Sequence, residues 1–127
     1  MSKLADLDYP EATGAGSFIA LNNGVVFMTT GVVGFPDMGL NLAVVANTGN
    51  QHLVAFSVPA DLAANGPHTV THPSGELKWI AMIDADPIVV ESGSVDVTFY
   101  NERKSVKGTI AWVAKGNRVT GEFDITR

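Results

Sequence analysis

The sequence predicts an all-β domain, an antiparallel β-barrel or barrel-like β-sandwich of about 8–10 strands. Three observations predict it. Apolar and polar residues alternate through the last third of the chain, along Val95, Val97, Phe99, then Val106, Ile110, Trp112, then Val119, Phe123, Ile125. Turn signals such as Asn23-Gly24, Pro36-Asp37 and Gly116-Asn117 recur at short spacing. No segment carries the period of a long helix.

From the N-terminus, residues 1–16 read as a flexible arm ahead of a single β domain over 17–127. Leu4, Leu7 and Tyr9 have the spacing of one short helical turn that Pro10 ends, and Thr13-Gly14-Ala15-Gly16 is a flexible lead-in. Strands over 17–21 and 25–29 flank Asn22-Asn23-Gly24, with Phe18, Ala20 and Phe27 inward. Residues 31–39 are glycine-rich and apolar and turn at Phe35-Pro36-Asp37. Residues 40–46 alternate as Leu40, Leu42, Val44. Asn47-Thr48-Gly49-Asn50 then turns the chain into a strand over 52–58, stopped by Pro59. Residues 61–66 make one helical turn or a loop, and 68–71 form a short extended piece between Pro67 and Pro73. Residues 77–84 form a strand with Leu77, Trp79, Ala81 and Ile83 on one face, and Ile88-Val89-Val90 is a short apolar segment between turns.

The closing strands permit a register. The polar loop Asn101-Glu102-Arg103-Lys104 places Phe99 opposite Val106, Val97 opposite Gly108, Val95 opposite Ile110 and Gly93 opposite Trp112. A two-residue turn at Gly116-Asn117 places Trp112 opposite Gly121, Ile110 opposite Phe123 and Gly108 opposite Ile125. All these residues then share the buried face, and a one-residue slip would expose the whole set. In this register Trp112 is a core anchor flanked by glycine on both sides.

At 127 residues the chain is one domain, and with 46% hydrophobic against 17% charged residues it buries a core instead of staying disordered. A net charge of −5 with no basic patch argues against nucleic acid and against an anionic membrane surface. The absence of cysteine excludes disulfides, thiolate catalysis and cysteine-bound zinc. Met1-Ser2-Lys3 leads into no apolar run, so no signal peptide is visible, which fits either a cytoplasmic chain or a secreted one whose leader is not in this sequence. No stretch is long enough for a transmembrane helix.

Charge is uneven. Between Glu11 and Asp61 the only charged side chain is Asp37. Edge strands normally protect themselves with charge. This half is therefore either central and two-sided, or covered by another copy or a partner. Val32, Val33 and Phe35 are the candidate interface residues within it.

Candidate chemistry is thin. His68 and His72 share a strand face but lie roughly 13 Å apart at strand rise, too far to chelate one metal. His52 reads as a strand-end histidine. Asp84, Asp86 and Glu91 lack the spaced ligands and glycine of a calcium loop and read as solvated turn acids. Asp96 and Asp124 flank Thr109 in the derived register. Paired carboxylates can run glycoside hydrolysis, but these sit on a flat outer face beside Lys107. There is neither a Gly-x-Ser-x-Gly elbow nor a phosphate-cradling Gly-x-x-x-x-Gly-Lys motif. The sequence therefore predicts no enzyme, no cofactor and no metal.

Residues 14–127 resemble, in the order of their features, a family of small lipocalin-like (calycin-like) bacterial β domains of unknown function. The matching residues are Phe18 and Ala20, Asn23-Gly24, Phe27, residues 93–98, Val106-Lys107-Gly108-Thr109-Ile110 and Gly121-Glu122-Phe123-Asp124-Ile125. The resemblance implies the β fold and no particular activity.

Two functions are expected from these readings. The first is a non-enzymatic interaction or assembly module that self-associates into a homo-oligomer, or meets a protein partner, through the low-charge N-terminal half. The second is a calycin-like binding protein for a small apolar or glycan ligand, with Trp79 lining the site. An oligomerising membrane-active toxin component is a more remote third.

Overall fold

The computed structural model describes residues 11–49, 51–75 and 77–127, and the backbone of residues 2–4 and 7–9. The chain is all-β and antiparallel, with its strands curled into a nearly closed barrel. Of the flexible arm expected over 1–16, residues 1, 5, 6 and 10 lie outside the described residues, Gly14 N donates to Val33 O (2.8 Å), and a strand begins at Ala15. Where the backbone is described, Ser2–Leu4 (β1) pairs with Leu7–Tyr9 (β2) as strands, in place of the helical turn expected there. The domain proper then runs through β3 (Ala15–Asn22), β4 (Val25–Thr30), β5 (Val33–Gly34), β6 (Asn41–Thr48), β7 (His52–Pro59), β8 (His68–Thr71), β9 (Ile80–Ile83), β10 (Asp86–Val89), β11 (Ser92–Tyr100), β12 (Ser105–Ala114) and β13 (Asn117–Thr126).

Two sheets make the barrel wall, in the orders β4-β3-β13-β12-β11-β8 and β10-β9-β7-β6-β5. The chain crosses between them four times, after β4, β7, β8 and β10. Past β4 it enters β5, where Asn47 N donates to Val32 O (3.1 Å) and Thr30 Oγ1 donates to Asn47 O (2.8 Å). Past β10 it enters β11, where Val90 N donates to Trp79 O (3.1 Å) and Glu91 N to Val113 O (2.8 Å).

The β11–β12 register matches the sequence expectation, with Phe99 opposite Val106, Val97 opposite Gly108, Val95 opposite Ile110 and Gly93 opposite Trp112. The β12–β13 register differs by two residues. Trp112 lies opposite Val119, Ile110 opposite Gly121 and Gly108 opposite Phe123. The reason is the turn. Lys115 and Gly116, both at positive φ (51° and 76°), are its central residues, closed by Ala114 opposite Asn117. Asn117 is thereby freed to bridge to the neighbouring hairpin, where its Oδ1 accepts from Asn23 Nδ2 (3.1 Å). Because the shift is even, every residue keeps its face and the inward set stands. The ring of Phe123 lies over Gly108, where a side chain would collide with the Asp96 carbonyl on β11. The aromatic-over-glycine contact thus falls one pair along from where the sequence put it.

β6 and β7 are buried on both faces. Leu42, Val44, Ala46, Val54, Phe56 and Val58 face the barrel interior. Val45, Leu53 and Ala55 face outward and join Ile80 and Met82 in a second cluster, against which Ala12 and Leu77 pack. Much of the charge-poor stretch is therefore central, two-sided strand. Leu77 lies outside β9 and on the opposite side from Trp79, because the strand begins only at Ile80. Residues 61–66 form bends, with no helical turn.

Aromatic rings fill the space between the sheets. Phe56 packs against Trp112 (5.7 Å between centroids), Phe123 (5.7 Å) and Trp79 (5.9 Å), and Phe123 stacks on Phe18 (5.4 Å). Phe56→Ala is expected to cost about 3–5 kcal/mol, the usual range for emptying a fully packed aromatic site. Urea unfolding would read this as a lower midpoint at unchanged slope. A loss under about 1 kcal/mol would contradict the central position of this ring.

Candidate functional site

Trp79 follows the extended segment that leads into β9, and its neighbours decide what it does. It is 1% exposed, and its indole Nε1 donates to Ser57 O (3.1 Å) and Ser74 O (2.9 Å). Trp112 lies 5.6 Å from it, and the His72 ring packs edge-on at 5.2 Å. Trp79 thus faces packed side chains, not a lumen. It also borders an outer groove of about 400 Å³ with His72, Ser74, Lys78 and Val89. A ligand-binding role for Trp79 would act through the wall of that groove. The Trp112 Nε1 is buried with no hydrogen-bond partner among the described residues.

The three candidate interface residues part company at the corner after β4. Val33 and Phe35 point into the core. Phe35 stacks with Phe99 (6.1 Å), and the Arg127 guanidinium covers its ring while Nε donates to Phe35 O (2.7 Å). Val32 alone turns outward and is 51% exposed.

Just before this corner lies the feature the sequence reading missed. β4 pairs with β3 only, and the register slips between Ala20 and Leu21, so that Phe27 has no partner on β3. This bulge turns the Phe27 ring onto His52 (5.7 Å) and leaves Val25 (70%) and Val26 (50%) both exposed. Beside them runs a groove of about 380 Å³ lined by Asn22, Val25, Val26, Phe27, His52, Ile83 and Asp84. His52 Nδ1 accepts from Asp84 N (3.3 Å), which ties the β9–β10 turn to the start of β7 and closes the groove floor. The available signal was the Asn23-Gly24 tip followed by two valines in a charge-free stretch. A period-two reading hides it, because alternation turns one of the two valines inward.

The remaining polar candidates make separate local contacts. His68 Nε2 lies 3.2 Å from Ala64 O, while His72 packs on Trp79. Asp86 pairs with Lys115 Nζ (3.4 Å), and Glu91 Oε1 accepts from Lys115 N (3.0 Å). Thr109 is flanked by Asp96 and Glu122, with Asp124 opposite Lys107, a consequence of the two-residue shift in β13. Asp96 accepts from Thr69 Oγ1 (2.5 Å). Among the described residues no group of three or more His, Asp or Glu side chains could hold a metal ion.

No protein-family model matches the chain, and neither a curated protein nor a solved structure matches it.

One surface group is perturbed. The Tyr100 hydroxyl donates to the Asp124 carboxylate, and this bond, with partial burial and the adjoining negative charge, raises its pKa above the ordinary phenol value. The folded state favours the neutral phenol. Its stabilisation is therefore present below the unfolded pKa of about 10 and is lost as pH rises through the raised folded value. An ultraviolet absorbance titration is expected to show a late-ionising tyrosine that Tyr100→Phe removes. An unchanged late phase in the variant would contradict the pairing.

Proposed function

We propose that this chain is a non-enzymatic β domain acting as an interaction and assembly module, which self-associates through its low-charge N-terminal half. The observation that carries the reading is where the exposed apolar side chains lie. Val25, Val26, Val32, Met38 and Leu40 fall within one charge-poor stretch, against Val89, Tyr100 and Val113 in the rest of the described chain. Burial explains the missing charge in β6 and β7, but it does not explain exposed valines and leucines on a flank whose only charge is Asp37. Such residues reach water at a cost of about 25 cal/mol per Å² of apolar area, which a second copy would remove. The ring-filled interior favours surface contacts over a carried ligand.

Light scattering behind a sizing column at two protein concentrations tests this. The chain is expected to run at a multiple of its 13.4 kDa mass. Val26→Lys and Val32→Lys should each return it to monomer with the far-ultraviolet circular dichroism intact, because an unpaired ammonium in a desolvated contact costs several kcal/mol. Val33→Lys and Phe35→Lys would instead disrupt the fold. A monomer at both concentrations would falsify the reading.

A further inference from the structure

An open sheet edge exposes unpaired backbone groups, and folded domains blunt such edges with charge, proline or brevity. Three of the four edges of this barrel are blunted in these ways, and the fourth, β4, has only its bulge at Phe27. β5 has two residues. β8 has four, between Pro67 and Pro73. β10 carries Asp86 and Pro87, with Lys115 on Asp86. β4 reads Val-Val-Phe-Met-Thr-Thr, with no charge and no proline, in β-branched and aromatic residues that favour strand pairing. Its C-terminal end is tied to β6 through Thr30 and Asn47, which leaves residues 25–29 as the open part.

We propose that β4 and the groove beside it form one self-complementary interface. Two copies pair β4 to β4 antiparallel about a two-fold axis at Val26, which brings the Val25-Val26 tip of each to the groove of the other. This rests on the self-association reading above and supplies its geometry. Edge and groove are separate observations that call for the same partner. An added strand draws affinity from main-chain hydrogen bonds and specificity from a pocket that takes its side chains. Here the pocket, walled by Phe27, Ile83 and the His52 ring, adjoins the edge and has the volume for a branched aliphatic side chain. The matching strand must be short, uncharged and β-branched, with aliphatic residues at its exposed end, and β4 itself has that composition. Identical strands paired antiparallel close at two copies and cannot propagate into a filament. A specific interface covers about 800 Å² per partner, more than a strand edge supplies, so the tip and groove must be engaged as well.

The absence of cysteine makes the test clean. Single variants Val26→Cys and Leu40→Cys both place a thiol at an exposed position, and Leu40 is the more exposed of the two (79%). Under mild oxidation Val26→Cys is expected to form a covalent dimer at least about tenfold faster than Leu40→Cys, because pairing raises the effective thiol concentration. If light scattering shows an oligomer while Val26→Cys couples no faster than Leu40→Cys, the β4 interface is overturned and self-association through another surface stands. If the wild-type chain is monomeric at both concentrations, both fall.

Discussion

Phe56 is the constraint around which the barrel is built. It projects inward from a strand buried on both faces and meets Trp79, Trp112 and Phe123, residues of three other strands or their approaches. Through it the five-stranded and six-stranded sheets share one core. Two rings of this cluster each have a glycine on one flanking strand. Trp112 lies opposite Gly93, and Phe123 lies over Gly108. Close packing of large rings requires small residues beside them, and the glycines of β11 and β12 provide that space. These rings occupy the space between the two sheets around Phe56.

The inner face of the fold was legible in the sequence for a specific reason. Period-two alternation survives any even error in register, so Val119, Phe123 and Ile125 were placed inward although β13 sits two residues from its expected partners. The error itself came from the turn. Gly116-Asn117 is the stronger turn dipeptide, yet the chain puts Lys115 at positive φ and uses Asn117 to bridge to Asn23. That preference depends on a neighbouring hairpin, which local reading does not see. The open flank was legible only as a shortage of charge. Its groove joins residues of β3, β4 and β7 to the β9–β10 turn, and the bulge that exposes Val25 and Val26 together breaks the period that the reading relied on.

The charge-poor half thus has two physical causes that the sequence superimposes. In β6 and β7 both faces are covered, so charge would be buried without a partner. At Val25, Val26, Thr29 and Val32, in β4 and the corner that follows, the side chains are exposed and charge would cost little in the isolated chain. Only the second cause bears on the proposed self-association, and it places the exposed apolar residues on one strand and the corner after it.

The tryptophan pair has a spectroscopic consequence. Trp79 and Trp112 are the only tryptophans of the chain, and their rings lie 5.6 Å apart inside a buried cluster. At that separation excitation absorbed by one indole can pass to the other. One comes from each sheet, so their fluorescence reports whether the two sheets are joined, which suits it to following the barrel as it opens.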